Sequence, residues 1–526
     1  MTNTSLSRRS LLLGGAAAGA GVAASGLLVP GSARAVPRPR PGRVAYPFLL
    51  GVASGDPYPD GVVLWTRLAV DPLALDGLGG LTAAKYDVEF QVAEDERFTR
   101  VVRFGTKHAR RDAGYAIHVE LTGLPSAHEY FYRFRIDEHI SPVGRTRTAP
   151  AAGSTVTALT MAFASCSNYS DGYFTAYRHL ADEDADIVLH LGDYIYEGAG
   201  AGFRPHSGGR EIFTLADYRA RYAQYKSDPD LQAAHAAAPW VAVPDDHEVE
   251  NNYADEIPDV DPPGPAFVQR RAAAYQAYYE NMPFRRSSTP DGSDMQLFRR
   301  LGWGDLATFH MLDTRQFRSD QACGDGNRAG CTAAFDPDRS ITGEKQERWL
   351  LDGLHRTTTT WDLLGQQVFF SLRDQTAGAV ESFSMDSWDG YVASRERIMR
   401  GFGAAGAANP VVLTGDVHAN YASDIKADWE DPSSRTLGVE LVTTSITSGG
   451  NGSDLSAGNR TALAENPHIR FANAQRGYVR TRIEHGQLRA DYRVVQAVRT
   501  QGSPITTRAS FVVEAGNPGL QPVPAR

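Results

Sequence analysis

The sequence predicts an α/β protein in which a layered domain of strands and helices follows a small all-β domain. Up to about residue 149, short strand candidates alternate with turn residues. After about residue 155, apolar strands alternate with helical segments, as in layered α/β domains. A chain of 526 residues is also too long for one compact core. We therefore place a β-sandwich domain at residues 36–150 and a larger α/β domain at residues 155–515.

The first 35 residues have the pattern of an export signal. Arg8 and Arg9 form a twin-arginine motif, an apolar stretch covers residues 11–28, and Ala33-Arg34-Ala35 is a cleavage site. We expect recognition by the twin-arginine export machinery, cleavage after Ala35, and a secreted or cell-envelope protein. A retained membrane anchor is the alternative, but the glycine, alanine and serine content makes this stretch weakly apolar.

The segment that follows is predicted to be all-β. Its strand candidates are residues 62–65, 86–92, 116–121 and 130–136. Gly123-Leu124-Pro125 precedes the last of these, which resembles the approach to the penultimate strand of fibronectin-like sandwiches. We therefore expect a small fibronectin- or immunoglobulin-like sandwich.

The larger domain contains elements of both kinds. Its strand candidates are residues 159–164, 187–191, 241–244, 306–312, 361–370 and 411–414, and its helix candidates are residues 176–180, 215–225, 268–279 and 343–354. The last hundred residues return to strands, at residues 438–443, 477–484 and 488–495. No internal repeat interrupts this order.

The net charge argues against some classes of function. The net charge of -9 provides no broad basic surface for nucleic acid and does not favour adsorption to anionic lipid.

The chain has three cysteines. Cys323 and Cys331 flank a short loop, and in an exported protein we expect them to form a disulfide. Cys166 is then unpaired, either as a small buried hydrophobe or as a metal ligand. We expect a monomer.

Four predicted strands end at residues that can bind metals. These residues are Cys166, Asp193 with Tyr196, the run Asp245-Asp246-His247-Glu248, and Asp416 with His418. In open α/β sheets, sites form outside the carboxyl ends of the strands. A thiolate, a carboxylate and a phenolate together suit a highly charged metal such as ferric iron. The alternative is that these residues are unrelated helix caps and turns.

At these motifs the chain resembles the calcineurin-like metallophosphoesterases, and within them the PhoD-type alkaline phosphatases. The resemblance is carried by FLLGVASGDPYPDGVVLWTR, ASC, HLGDYIYE, DDHEVENN, DTRQFR, LTGDVHANY and TSITSGG, in the order of that family. The resemblance implies a four-layer fold in which two mixed β-sheets are flanked by helices. A Gly-Asp-x-x-Tyr spacing at residues 192–196 is shared with purple acid phosphatases.

The resemblance further implies a cluster of ferric iron (Fe3+) with calcium (Ca2+). The iron ligands would be Cys166, Asp193, Tyr196 and His418, and Asp246 and Asp416 would hold calcium. At 246 and 416 the superfamily has asparagine and histidine. Aspartate at both positions replaces neutral ligands by hard anionic oxygens, which favours calcium over zinc at the second site.

The activity implied is hydrolysis of organic phosphate monoesters and diesters by metal-activated water or oxide. His247 is placed to bind the phosphate or to protonate the leaving oxygen, with orientation of the Asp246 loop as the alternative. Arg315 is a candidate ligand for phosphate oxygens, with a structural ion pair as the alternative. Glu248 is expected to support the metal ligands rather than to bind metal.

Two other functions remain open at this point. A phospholipase D-type phosphodiesterase would use the same cluster on phospholipids, because both reactions break a phosphorus–oxygen bond. A non-catalytic surface binding protein would be expected to lack some ligands, whereas this chain retains a complete set.

Overall fold

The computed structural model describes residues 44–260, 262–403 and 407–525. The predicted export signal lies outside the described residues. The first strands are β1 Val52–Tyr58, β2 Gly61–Arg67, β3 Lys85–Ala93, β4 Val101–Arg110, β5 Ala116–Glu120, β6 Glu129–Ile136, β7 His139–Ile140 and β8 Gly144–Arg147. The next are β9 Leu159–Ala164, β10 Ile187–Leu191, β11 Pro239–Val243, β12 Arg299–Trp303, β13 Ala307–Met311, β14 Asn327–Arg328, β15 Trp361–Gly365, β16 Phe383–Ser384 and β17 Val411–Thr414. The last are β18 Asn420–Lys426, β19 Thr436–Val442, β20 Gly452–Ser453, β21 Ile469–Gln475, β22 Gly477–Ile483, β23 Gln487–Val495, β24 Ile505–Glu514 and β25 Asn517–Val523.

The α-helices lie mainly between the strands of the larger domain. They are α1 Thr175–Ala181, α2 Leu215–Lys226, α3 Pro229–Ala237, α4 Pro265–Asn281, α5 Gly343–Arg356, α6 Val392–Gly403 and α7 Ala457–Glu465. Within the described ranges, none of the helices has the length and apolarity needed to cross a membrane.

Two large mixed sheets form the body of the molecule. The first has ten strands in the order β25-β24-β23-β22-β9-β10-β11-β1-β2-β5. Strands β9, β10 and β11 are adjacent and parallel in it, so their carboxyl ends meet at one edge. The second has eight strands in the order β12-β13-β15-β17-β19-β18-β21-β20.

The two sheets pack face to face and helices cover their outer faces. Phe163 and Leu189 of the first sheet share one buried cluster with Leu363 and Leu413 of the second. The opposite face of the first sheet packs on α1, α2, α3 and α4. The outer face of the second sheet packs on α5 and α6. Because both faces of each central strand are buried, these strands appear in the sequence as continuous apolar runs. The predicted four-layer α/β fold is confirmed.

The N-terminal segment is all-β, as predicted, but it contributes to two sheets. Strands β3, β4, β6, β7 and β8 form a five-stranded sheet of their own. Strands β1, β2 and β5 instead extend the ten-stranded sheet, where β1 runs parallel to β11. The boundary between the two predicted domains therefore runs through a shared sheet.

Two other differences from the sequence prediction have local causes. The strand predicted at residues 361–370 ends at Gly365, because the Gln366 side chain turns inward and donates to Thr414 Oγ1 and the Val368 carbonyl. Helices α3, α6 and α7 were not predicted, and neither were strands β12, β18, β21, β24 and β25. In α3 the Asp228 cap, Pro229 at the first helical position and the alanines that follow are all helix signals, and the sequence analysis did not use them.

Candidate metal centre and active site

The predicted site residues lie in the loops that follow four central strands. Cys166 follows β9, Asp193 follows β10, and Asp246 follows β11, at the shared edge of the ten-stranded sheet. Asp416 and His418 follow β17 of the second sheet. An isolated bridge between Ser165 and Ser445 joins the two sheets beside Cys166. The site therefore lies where the ends of both sheets meet.

The backbone at this edge is tightly constrained. Left-handed φ angles occur at 61° in Cys166, 57° in Asp193, 61° in Asp416 and 52° in His418. Such angles cost a non-glycine residue about 1 kcal/mol each and cluster at functional sites. Gly192 has a φ of 102°, and a Cβ atom there would lie 2.4 Å from Cβ of Asp245. Only glycine fits between the two loops at this point.

One half of the site combines sulfur, phenol, carboxylate and imidazole. Ligand atoms of Cys166, Asp193 and His418 all lie within 4.8 Å of one another. The Tyr196 hydroxyl donates to Asp193 Oδ2 at 2.8 Å and lies 3.1 Å from His418 Nε2. Burial and the nearby charge of Asp193 raise the pKa of both the Cys166 thiol and the Tyr196 phenol well above their ordinary values.

The other half is dominated by carboxylates. Ligand atoms of Asp193, Asp246 and His247 lie within 4.8 Å of one another, and the backbone N–H of Asn252 donates to Asp246 Oδ2 at 2.7 Å. Burial raises the pKa of Asp246, but the positive charges of Arg315 and His247 lower it more, so its pKa is below the ordinary value. Burial, and then the charge of Asp386, raise the pKa of Asp416 to about 7.

Three buried carboxylate oxygens at this site fit a bound cation. Asp193 Oδ1, Asp245 Oδ2 and Asp246 Oδ1 are buried and have no hydrogen-bond partner, although Asp246 Oδ1 lies 3.7 Å from Arg315 Nη2 in an ion pair. Burying an ionised oxygen without a partner is costly, and paired or metal-coordinated carboxylates avoid this cost. The donor types also fit: thiolate, phenolate and imidazole suit iron, and carboxylate oxygens suit calcium.

His247 is held by a carboxylate and faces the centre. Its Nδ1 lies 2.7 Å from Glu197 Oε2, and its ring packs on Tyr196 with 4.2 Å between centroids. Burial lowers the pKa of His247, but the negative charges of Glu197 and Asp246 raise it more, and it lies well above the ordinary value. With Nδ1 bound to Glu197, Nε2 is the nitrogen left for a substrate or leaving group.

Comparison with known proteins identifies the family. The model of the PhoD-like phosphatase family matches residues 161–492, and that of the PhoD-like phosphatase N-terminal domain matches residues 33–150. Alkaline phosphatase D of Bacillus subtilis (strain 168) is 51% identical over 486 residues, covering 91% of this chain and 83% of that protein. The chain belongs to the PhoD-like phosphatase family. A solved structure described as the structure of PhoD superposes with a TM-score of 0.89 at 50% identity, covering 93% of this chain and 94% of that one.

Membership in the PhoD-like phosphatase family makes the chain a phosphoesterase and a metal-dependent enzyme. The site described above contains groups that can bind metal, as such an enzyme requires. The residues that the sequence singled out for this role, Cys166, Asp193, Tyr196, Asp246, Asp416 and His418, are brought together in one place.

Arg315 forms structural ion pairs, which was the alternative to its predicted role as a phosphate ligand. Its side chain is fully buried. Its Nε donates to Asp245 Oδ1 at 2.6 Å, and its two Nη atoms donate to Asp386 at 2.8 and 3.0 Å. Because both edges of the guanidinium are already bound to carboxylates, it has no free fork for a phosphate. The structure therefore favours a structural role for Arg315, which holds Asp245 and Asp386 beside the centre.

Glu248 supports the loops that carry the site residues, as the sequence predicts. Its carboxylate accepts the backbone N–H groups of Asp193, Tyr194 and Asp245 at 3.2, 2.6 and 2.8 Å. Burial and the charge of Asp193 raise its pKa to about 8. Glu248 thereby links the loop after β10 to the loop after β11.

Sequence reasoning missed three residues that contact the site. They are Glu197, Asp386 and Ser448. Ser448 Oγ lies 2.7 Å from the Tyr196 hydroxyl and donates to the Cys166 carbonyl at 2.8 Å, although the sequence analysis did not count Ser448 among the site residues. Glu197 is the last residue of the motif HLGDYIYE, and Ser448 lies in the motif TSITSGG, so both positions carried a usable signal. Asp386 follows a two-residue strand and carries no such signal.

Proposed function

We propose that this protein is an exported phosphomonoesterase and phosphodiesterase whose centre combines ferric iron with calcium. The observation that carries this proposal is that four strand ends meet at one site, where three buried carboxylate oxygens lack hydrogen-bond partners. Cys166, Asp193, Tyr196 and His418 would hold the iron, and Asp246 and Asp416, with Asp193 shared, would hold calcium.

Bound metal ions would supply Lewis acidity and neutralise the negative charge of the phosphate ester. The protein's own groups then have separate tasks. Glu197 fixes the ring of His247 through Nδ1, and His247 carries a proton on Nε2 that it donates to the phosphate or to the leaving oxygen. Arg315 and Glu248 hold the acidic loops in place before substrate binds.

Export by the twin-arginine machinery and a secreted or cell-envelope location form part of the same proposal. The motif at Arg8 and Arg9 supports it. The Cys323–Cys331 disulfide also supports it, because disulfides persist in oxidising compartments. We also propose that the enzyme is a monomer.

Substrate preference is tested by comparing three reactions with the full-length, metal-loaded enzyme. These are hydrolysis of p-nitrophenyl phosphate, hydrolysis of bis(p-nitrophenyl) phosphate, and release of choline from phosphatidylcholine vesicles. We expect the first two to proceed and the third to be slower. Choline release that exceeds both ester reactions would instead make the enzyme a phospholipase D-type phosphodiesterase. The absence of all three would contradict the proposed function.

A further inference from the structure

We propose that the disulfide loop, residues 323–331, is a positioning element for the calcium half of the centre and that Asp325 is its main positioning residue. This inference rests on the proposed function, because it takes Asp246 as a ligand of the divalent cation. The loop is closed by the Cys323–Cys331 disulfide.

The first connection runs through Asn252 to a proposed ligand. Asp325 Oδ2 accepts a hydrogen bond from Asn252 Nδ2 at 2.7 Å, and the backbone N–H of Asn252 donates to Asp246 Oδ2 at 2.7 Å. Gln321, just before the loop, donates to the Asn252 carbonyl at 2.6 Å. Asn252 has a left-handed φ of 51°, a conformation that must be held by its surroundings. Asp325 and Gln321 hold it from two sides and so orient Asp246.

The second connection runs through the strand that precedes Asp386. Loop residues Asn327 and Arg328 pair with β16, and the N–H of Met385 donates to the Gly326 carbonyl at 3.0 Å. The next residue, Asp386, accepts hydrogen bonds from both Nη atoms of Arg315. The Nε of Arg315 donates to Asp245. The loop is therefore connected to Asp246 through Asn252 and to Asp245 through Asp386 and Arg315.

The composition of the loop explains why it needs a covalent closure. Three of its nine residues are glycines, and Cys323 and Asp325 also have left-handed φ angles of 54° and 59°. Such a segment loses much conformational entropy when it is ordered, and a disulfide reduces that loss. In the part of the chain that the structure describes, no hydrogen bond joins the loop to Cys166, Tyr196 or His418. Loosening the loop should therefore weaken calcium binding and leave the iron half intact.

The test uses the full-length enzyme, stripped of calcium with a chelator and titrated with calcium alone by calorimetry. The visible absorption of the iron half is recorded in the same samples. Replacing an outer partner of a metal ligand typically costs about 10- to 100-fold in affinity. Asp325 acts on Asp246 only through Asn252. For Asp325→Ala and for the Cys323→Ser/Cys331→Ser double variant we therefore expect a loss at the lower end of that range, about 10-fold, with the absorption band unchanged. Asp325→Asn keeps an acceptor oxygen and should keep most of the affinity, and Ala329→Ser in the same loop is the control.

Several outcomes would overturn the inference. The first is an Asp325→Ala variant that binds calcium as tightly as wild type. The second is an Asp325→Asn variant that loses as much calcium affinity as Asp325→Ala. The third is a variant in which the visible absorption band disappears together with calcium binding. Should the double variant fail to fold, the two Asp325 variants decide the question. A coloured wild-type enzyme that binds no calcium would refute the calcium site of the proposed function itself, and the inference with it. That result is distinct from a failure confined to the Asp325 variants.

Discussion

The Tyr196 hydroxyl lies at the centre of the proposed iron half. Asp193, His418 and Ser448 are all within hydrogen-bond distance of it. Because burial disfavours the phenolate, a bound cation is needed to hold Tyr196 in its ionised form.

Phenolate bound to ferric iron absorbs visible light, so we expect the native enzyme to be coloured and Tyr196→Phe to shift or bleach the band. Tyr194→Phe is the matched control, because the Tyr194 hydroxyl bonds to His235 at 2.7 Å, away from the centre. Absorption spectra of the two variants beside wild type make the comparison. An unchanged band in Tyr196→Phe would remove Tyr196 from the ligand set.

Glu197 is expected to act through His247. In Glu197→Gln the neighbouring negative charge is lost, so the pKa of His247 should fall. Because His247 acts in its protonated form, activity is lost as pH rises through that pKa. We therefore expect kcat to decrease by between about 10-fold and 100-fold and its alkaline limb to move to lower pH.

The measurement for Glu197→Gln is the pH profile of kcat and KM for p-nitrophenyl phosphate. Glu211→Gln is the control, since Glu211 is about half exposed and pairs with Arg270 rather than with a site residue. A reduced kcat with an unmoved alkaline limb would show that Glu197 has only a structural role.

At the scale of single elements, β10 carries a buried histidine in addition to its site loop. His190 is fully buried, and its Nε2 lies 2.9 Å from the Tyr177 hydroxyl. Burial, and then the charge of Lys226, lower its pKa to about 3. The unfolded chain binds a proton at this residue below about pH 6.5 and the folded chain does not. The contribution of His190 to stability is therefore complete above pH 6.5 and decreases as pH falls toward 3.

For His190 this predicts a slope of about 1.4 kcal/mol per pH unit in the free energy of unfolding between pH 6 and 4. His190→Gln should be less stable than wild type at pH 7.5 but should lose this part of the acid sensitivity. Urea unfolding of both proteins at pH 7.5 and 5.0 measures the difference. Equal pH dependence in the two proteins would contradict the prediction.

The elements that the sequence predicted best are those whose signal is local. Strands β9 and β10 are short apolar runs that end at a turn, and both were predicted with their observed bounds. The residues directly after such strands were predicted for the same reason. Glu197, Asp386 and Ser448 meet their partners across 50, 71 and 252 residues of sequence. A motif can mark such a residue, but it does not show which distant residue it contacts, because that depends on how distant loops pack.

At the scale of the whole molecule, the N-terminal segment and the phosphatase domain share one sheet. Strand β1 lies against β11, whose loop carries Asp246. Arg299 of the second sheet pairs with the buried Asp56 of β1 at 2.8 Å. We expect the two regions to unfold together because neither can lose its strands without exposing an edge of the other.

Differential scanning calorimetry of the metal-loaded enzyme should therefore show a single main transition. Intrinsic fluorescence provides a second probe, because the seven tryptophans include Trp65 in β2 and Trp361 in the second sheet. Two separated transitions would show that the N-terminal segment is an independent domain.

We infer that the converging strand ends form an iron–calcium centre that hydrolyses phosphate esters. Elemental analysis of the enzyme as purified, with p-nitrophenyl phosphate hydrolysis measured on the same sample, tests it most directly. We predict one iron and at least one calcium per chain, with activity lost on calcium chelation and restored by calcium. A colourless enzyme that is fully active with zinc alone would contradict the claim.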